Sequence, residues 1–146
     1  MVVLTERLPI ETKVEVSFTL PLTAEARTKT RQRIEISEGK WICLRLPRGT
    51  VLKDGDLLLS EADDVVVRIV AQSEPVMTVR GKTQLDLLRA AYHLGNRHVP
   101  IEITPEYLRL TPDPVLHSLL IQLGLQVTEE TVPFHPEKGA YGHSHN

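Results

Sequence analysis

The chain has 146 residues, 41% of them hydrophobic and 25% charged, with a formal net charge of −2. That composition supports one or two globular domains with true cores, and it excludes the strongly basic surface that nonspecific nucleic-acid binding requires. No apolar run is long enough for a secretion signal or a bilayer span, so a cytoplasmic location without membrane attachment is expected.

In chain order, residues 1–74 read as an all-β domain. "KVEVSFTL" alternates Val14, Val16, Phe18 and Leu20 with other residues, and "RQRIEI" and "WICLRL" alternate similarly. Asp54-Gly55 in "LKDGDLLL" signals a hairpin between apolar runs, and "DVVVRIVA" is a β-branched strand after a polar turn. Several short strands with turns between them predict a small sandwich or barrel. The single cysteine, Cys43, lies in the apolar run "WICLRL" and is read as structural.

"AQSEPVM" reads as a linker, and the pattern then changes. "VMTV" (76–79) is a short strand. "TQLDLLRAAYHL" (83–94) puts Leu85, Leu88, Ala91 and Tyr92 on one face of a helix, with Thr83 as N-cap and Gly95 as the stop. "HVPIEI" (98–103) and "YLRL" (107–110) are strands. "PDPVLHSLLIQL" (112–123) is a second helix, with Asp113 as N-cap, Pro114 in its first turn and Gly124 at its end, and "LQVTEE" (125–130) is the last strand. The order β-α-β-β-α-β over 75–131 is ferredoxin-like, giving an α+β chain whose residues 132–146 form a loose tail.

All six histidines lie beyond residue 90. Imidazole is the commonest nitrogen ligand of transition metals, so this half is where metal chemistry is expected. In the strand starting at His98, alternation turns Val99, Ile101 and Ile103 toward the helices and His98, Pro100 and Glu102 away from them. One imidazole holds a metal poorly, so an outward His98 needs partners. His143 and His145 form an H-x-H pair whose side chains can reach one ion in an extended chain. His93 falls on the polar side of its helix, His117 lies off the apolar stripe of the second helix, and His135 sits among prolines.

The segments "TKTRQRI", "LRLPRGTVLKDGD", "LLRAAYHLGNRHVPIEI", "DPVLHSLLIQLGLQV" and "PFHPEKGAYGHSH" together resemble, in order and over nearly the whole chain, the urease accessory nickel metallochaperones of the UreE family. The resemblance implies an N-terminal β-domain that engages partners and a C-terminal metal-binding domain through which two chains form a homodimer. It implies Ni(II) delivery to apo-urease through the accessory GTPase and accessory scaffold proteins. It also implies that His98 of each chain meets at the dimer interface, with the tail histidines His143 and His145 adding ligands. Zn(II) and Cu(II) suit the same imidazoles. The chain departs from some relatives in having Thr111-Pro112-Asp113-Pro114, without histidine, before the second helix, and in having only the H-x-H pair in its tail.

No nucleophile–base pairing or phosphate-cradling loop is present in the sequence, so no enzyme is expected. The alternative to delivery is a general histidine-based metal buffer or store with no client. An RNA-binding reading of the ferredoxin-like unit lacks the aromatics on its central strands that stack bases. Arg27, Lys29, Arg31 and Arg33 recur with period two. On a strand they form one cationic face, either a solvated edge or a dock for an acidic partner.

Overall fold

The structure, a computed structural model, describes residues 1–137. The chain divides into two compact units, Met1–Gln72 and Ser73–Asn146.

The first unit contains β1 (Val2–Arg7), β2 (Phe18–Leu22), β3 (Arg31–Ser37), β4 (Lys40–Arg45), β5 (Leu57–Ser60) and β6 (Val66–Ala71). They form one six-stranded sheet in the order β2-β6-β5-β1-β4-β3, with β1/β4 and β2/β6 parallel. Rather than two stacked sheets, this single sheet curls until side chains from both edges reach one core. Leu20 and Leu22 of β2 join Leu4, Ile42, Leu44, Leu58, Val67 and Ile69, and Ile34 of β3 packs against the cluster.

Two local expectations change. The strand predicted from Lys13 starts only at Phe18, and Val14 is exposed. Asp54-Gly55 does make a turn, with Gly55 at φ +93° and the Asp54 carboxylate accepting from the Ala71 amide at 2.8 Å. It does not join two strands, because the preceding Val51-Leu52 forms none. The unpredicted β1 lies inside the sheet between β5 and β4. Only Leu4 of its six residues is buried, so no alternation marks it in the sequence.

The second unit contains β7 (Ser73–Arg80), α1 (Gln84–Asn96), β8 (Glu102–Ile103), β9 (Leu108–Leu110), α2 (Pro114–Gln122) and β10 (Gln126–Pro133). The sheet order β10-β7-β9-β8, all neighbours antiparallel, is the ferredoxin-like arrangement. The stretch read as a linker is largely strand, because β7 pairs with β10 from Ser73 to Arg80. The same pairing carries β10 to Pro133, and Phe134 is buried, so residues 132–134 belong to the packed unit and not to a loose tail.

Both helices start where their caps place them. The Thr83 hydroxyl accepts from the Asp86 amide at 3.2 Å while the Asp86 carboxylate accepts from the Thr83 amide at 3.1 Å, a reciprocal capping box. The Asp113 carboxylate accepts from Val115 and Leu116, with Pro114 in the first turn. The face of α1 that packs on the sheet is not the expected one. Leu87, Ala90 and Leu94 are buried, and they meet Met77, Val79, Leu108, Leu110 and Leu120. On α2 the expected stripe is buried only at its centre: Leu120 is covered, Leu116 packs against the core, and Val115 and Leu123 are exposed.

Candidate functional site

His98 does not begin a strand. Helix α1 runs through Gly95 to Asn96, and His98 follows with φ +56°, in the left-handed region. Its amide donates to the Gly95 carbonyl at 3.0 Å, and the Val99 amide donates to the Leu94 carbonyl at 3.2 Å. This pair of bonds is a Schellman motif, and His98 stands at the position where glycine is usual. The chain carries its own comparison in α2. There the Gly124 amide donates to Ile121 and the Leu125 amide to Leu120, both at 3.0 Å, with Gly124 at φ +86°. The same turn is thus built once with glycine and once with histidine.

A side chain with a Cβ costs about 1–2 kcal/mol in this backbone region. Backbone strain of this kind is found preferentially at functional sites. The His98 side chain is exposed. Alternation along 99–103 keeps its expected phase, but it does not aim His98, whose direction is set by the helix-ending turn.

Beside this turn lies an apolar face with no cover in the described chain. Leu85, Leu88 and Tyr92, at helical spacing on α1, are 51%, 62% and 66% exposed. Between α1 and the β8–β9 hairpin a groove of about 300 Å³ is lined by Leu87, Leu88, Ala91, Ile103, Pro105 and Leu108. Ile103 is on the helix side as expected yet remains exposed, because it sits in this groove.

On the opposite side of the sheet, residues 134–137 form a strap. At Pro133 the chain pairs with Ser73 on the β10 edge, and at Glu137 its amide donates to the Ile101 carbonyl at 2.8 Å, just ahead of the other edge strand. The four residues from Pro133 to Glu137, at most about 14 Å when extended, bridge these two points. Partway along, the His135 amide donates to the Glu102 carboxylate at 2.9 Å. Glu102 points away from the helices as expected, but the strap and its neighbours bury it to 7% exposure. It also pairs with Arg109 at 3.6 Å and accepts from the Tyr107 hydroxyl at 3.4 Å.

The remaining histidines are dispersed. His93 stacks edge-on against Tyr92 with ring centroids 5.4 Å apart, and His117 lies half-buried on α2. His143 and His145 lie outside the described residues. Among the described residues no three His, Cys, Asp or Glu side chains come together to hold a metal ion. Among the described residues, His98 has no pair of further His, Cys, Asp or Glu side chains beside it to complete a metal site.

The period-two basic stripe is only partly a face. Arg27 is buried in a short 3-10 helix, Ala26–Thr28, and Lys29 pairs with Glu25 at 3.8 Å in the loop that follows. Of the stripe only Arg31 and Arg33 lie on a strand, β3, and Arg45 of β4 joins them directly across from Arg31. The Arg33 guanidinium lies 5.1 Å from the centre of the exposed Trp41 ring. Sequence spacing missed Arg45 because cross-strand register, not spacing along the chain, brings it in. Cys43 is buried between Val3 and Arg33.

Comparison with known proteins is consistent along the chain. Residues 4–72 match the N-terminal domain, and residues 74–146 the C-terminal domain, of the UreE urease accessory protein. The urease accessory protein UreE of Nostoc punctiforme is 56% identical over 146 residues, covering 100% of this chain and 99% of that protein. Its counterpart in Nostoc sp. (strain PCC 7120) is 54% identical over 145 residues, 99% of each chain. That of Microcystis aeruginosa is 50% identical over 152 residues, covering 100% of this chain and 96% of its own.

Proposed function

The chain belongs to the UreE family of urease accessory proteins, with a role in urease maturation, and from that premise we propose that it carries Ni(II) as cargo to apo-urease. His98 is the central ligand. Two chains form a homodimer through their ferredoxin-like domains, so that His98 of each reaches the same ion, and His143 and His145 of the tail complete the coordination.

One observation carries this reading: an exposed imidazole held in the left-handed slot of a helix-ending turn, on the same helix as an uncovered apolar face. The apolar face explains why a second copy binds. Burying side chains of the size of Leu88 and Tyr92 contributes about 1.5–3 kcal/mol each. The turn explains how the imidazole is presented, because its main chain is pinned by two hydrogen bonds. Nickel(II) accepts several imidazoles in square-planar or octahedral arrangements. A site divided between two chains and two tails releases its ligands one at a time, which suits a carrier more than a store.

The protein acts by binding and transfer, not catalysis, and it works in the cytoplasm. Zn(II) and Cu(II) compete for the same donors. Arg31 and Arg45, facing each other without an ion-pair partner among the described residues, favour a specific client over a general buffer. They offer an acidic partner, such as the accessory GTPase or a scaffold protein, a place to dock. The test is a calorimetric nickel titration. One tight ion per two chains, lost on His98→Ala, is the expected result; undiminished tight binding by that variant overturns the assignment.

A further inference from the structure

Strand β3 ends the six-stranded sheet, and among the described residues no strand pairs with its outer side. The Leu46 amide donates to the Thr30 carbonyl at 2.9 Å, and Arg31 lies opposite Arg45. In an antiparallel ladder, hydrogen-bonded and non-hydrogen-bonded pairs alternate. Thr30, Gln32 and Ile34 therefore bond β4 through their main chain, while the amides and carbonyls of Arg31, Arg33 and Glu35 point out from the sheet edge. Such an edge is commonly closed by a proline, a bulge or a very short strand. β3 has seven residues without proline, and its irregularity falls only after Glu35. Its guard is charge. Arg31, Arg33 and Arg45 are exposed, on the face opposite to the half-buried Ile34 that packs against the core. The Glu35 carboxylate turns to the hairpin, where it accepts from the Gly39 amide at 3.1 Å, and it forms no ion pair with these arginines. The arginines repel the same edge of a second copy and attract an acidic strand.

We propose that the β3 edge takes an extended acidic segment of a partner protein as an added strand. This rests on the reading that the arginines dock an acidic partner, and it gives the form of that contact. Main-chain bonds to Arg31, Arg33 and Glu35 supply affinity, and side-chain register supplies specificity. Successive side chains of a strand alternate between its faces. Carboxylates at every second position therefore meet Arg31 and Arg33, and apolar residues between them lie beside Gln32 and Ile34, both half-buried. Trp41, the single tryptophan of the chain, has its ring centre 5.1 Å from the Arg33 guanidinium, so its fluorescence reports an arriving carboxylate.

The test uses the full-length protein and a synthetic peptide alternating Glu with Val, capped at both ends. Trp41 fluorescence reads binding, and amide hydrogen exchange reads the edge. The peptide is expected to bind, more weakly as salt rises. It is expected to slow exchange at Arg31, Arg33 and Glu35 about tenfold, while Gln32 and Ile34, already bonded to β4, change little. Glu35→Pro removes an outward amide and no arginine, and is expected to weaken binding about tenfold, whereas Glu35→Ala keeps the amide and is expected to bind undiminished. Circular dichroism reports that both variants are folded. A peptide N-methylated at every amide keeps its carboxylates but donates no main-chain bond; it is expected not to bind, and it decides the matter if Glu35→Pro does not fold. If Arg31→Glu weakens peptide binding while Glu35→Pro and N-methylation leave it unchanged, strand addition is overturned and the arginine dock stands. If the unmodified peptide does not bind, strand addition is overturned, and the dock is judged separately by partner capture with Arg31→Glu.

Discussion

Arg31 and Arg45 face each other directly across neighbouring strands β3 and β4, and neither forms an ion pair among the described residues. Like charges directly opposite on a sheet destabilise it. Arg31→Glu is therefore expected to stabilise the first unit by about a few tenths of a kcal/mol, read as a small rise in melting temperature. The same change is expected to weaken capture of the accessory GTPase in a pull-down, most clearly at low salt. Unchanged capture at all salt concentrations removes this face as the dock.

His98→Gly separates stability from function at a single residue. Glycine relieves the left-handed strain, so the variant is expected to gain about 1 kcal/mol of unfolding free energy in a denaturant titration while losing tight nickel binding. Gly124 in the corresponding turn of α2 already has this conformation. A variant that is destabilised instead shows that the imidazole makes a structural contact outweighing the strain.

Placing a carboxylate on the apolar face tests the dimer. Leu88 is largely exposed in one chain and lines the groove beside Ile103. Leu88→Asp is expected to leave the monomer folded, since the side chain is outside the core, and to shift sedimentation from dimer to monomer, with nickel affinity falling accordingly. A dimer of undiminished stability moves the interface elsewhere.

Metal–imidazole bonds form only with the neutral ring, so protons compete with nickel. Affinity is expected to fall as pH is lowered from about 8 to about 5.5, with more than one proton released per ion bound. Calorimetry in buffers of different ionisation enthalpy measures that number. A value near zero points to ligands other than imidazole.

The ferredoxin-like order was legible because its boundaries are chemical: Thr83 with Asp86, Asp113 with Pro114, and Gly124 each close a helix by a local hydrogen bond or a preferred backbone angle. The inward face of α1 was not. The helix is apolar on two faces, Leu87/Ala90/Leu94 and Leu85/Leu88/Tyr92, and only the tertiary packing assigns the first to its own sheet. The turn at His98 was hidden by Gly95, which offers a helix stop three residues early. The strap was invisible for a different reason. Its bonds run from main-chain amides to Glu102 and Ile101, and no side-chain pattern records them. His98 itself was identified correctly as outward-facing, but from strand alternation, which is not what orients it.

The proposed function turns on one ion shared by His98 of two chains. The most direct measurement is nickel titration of a purified heterodimer carrying one unaltered subunit and one His98→Ala subunit. A shared site predicts that no nickel binds with the affinity of the unaltered homodimer. A site complete within one chain predicts half the capacity at unchanged affinity, and that result would rule out a shared ion.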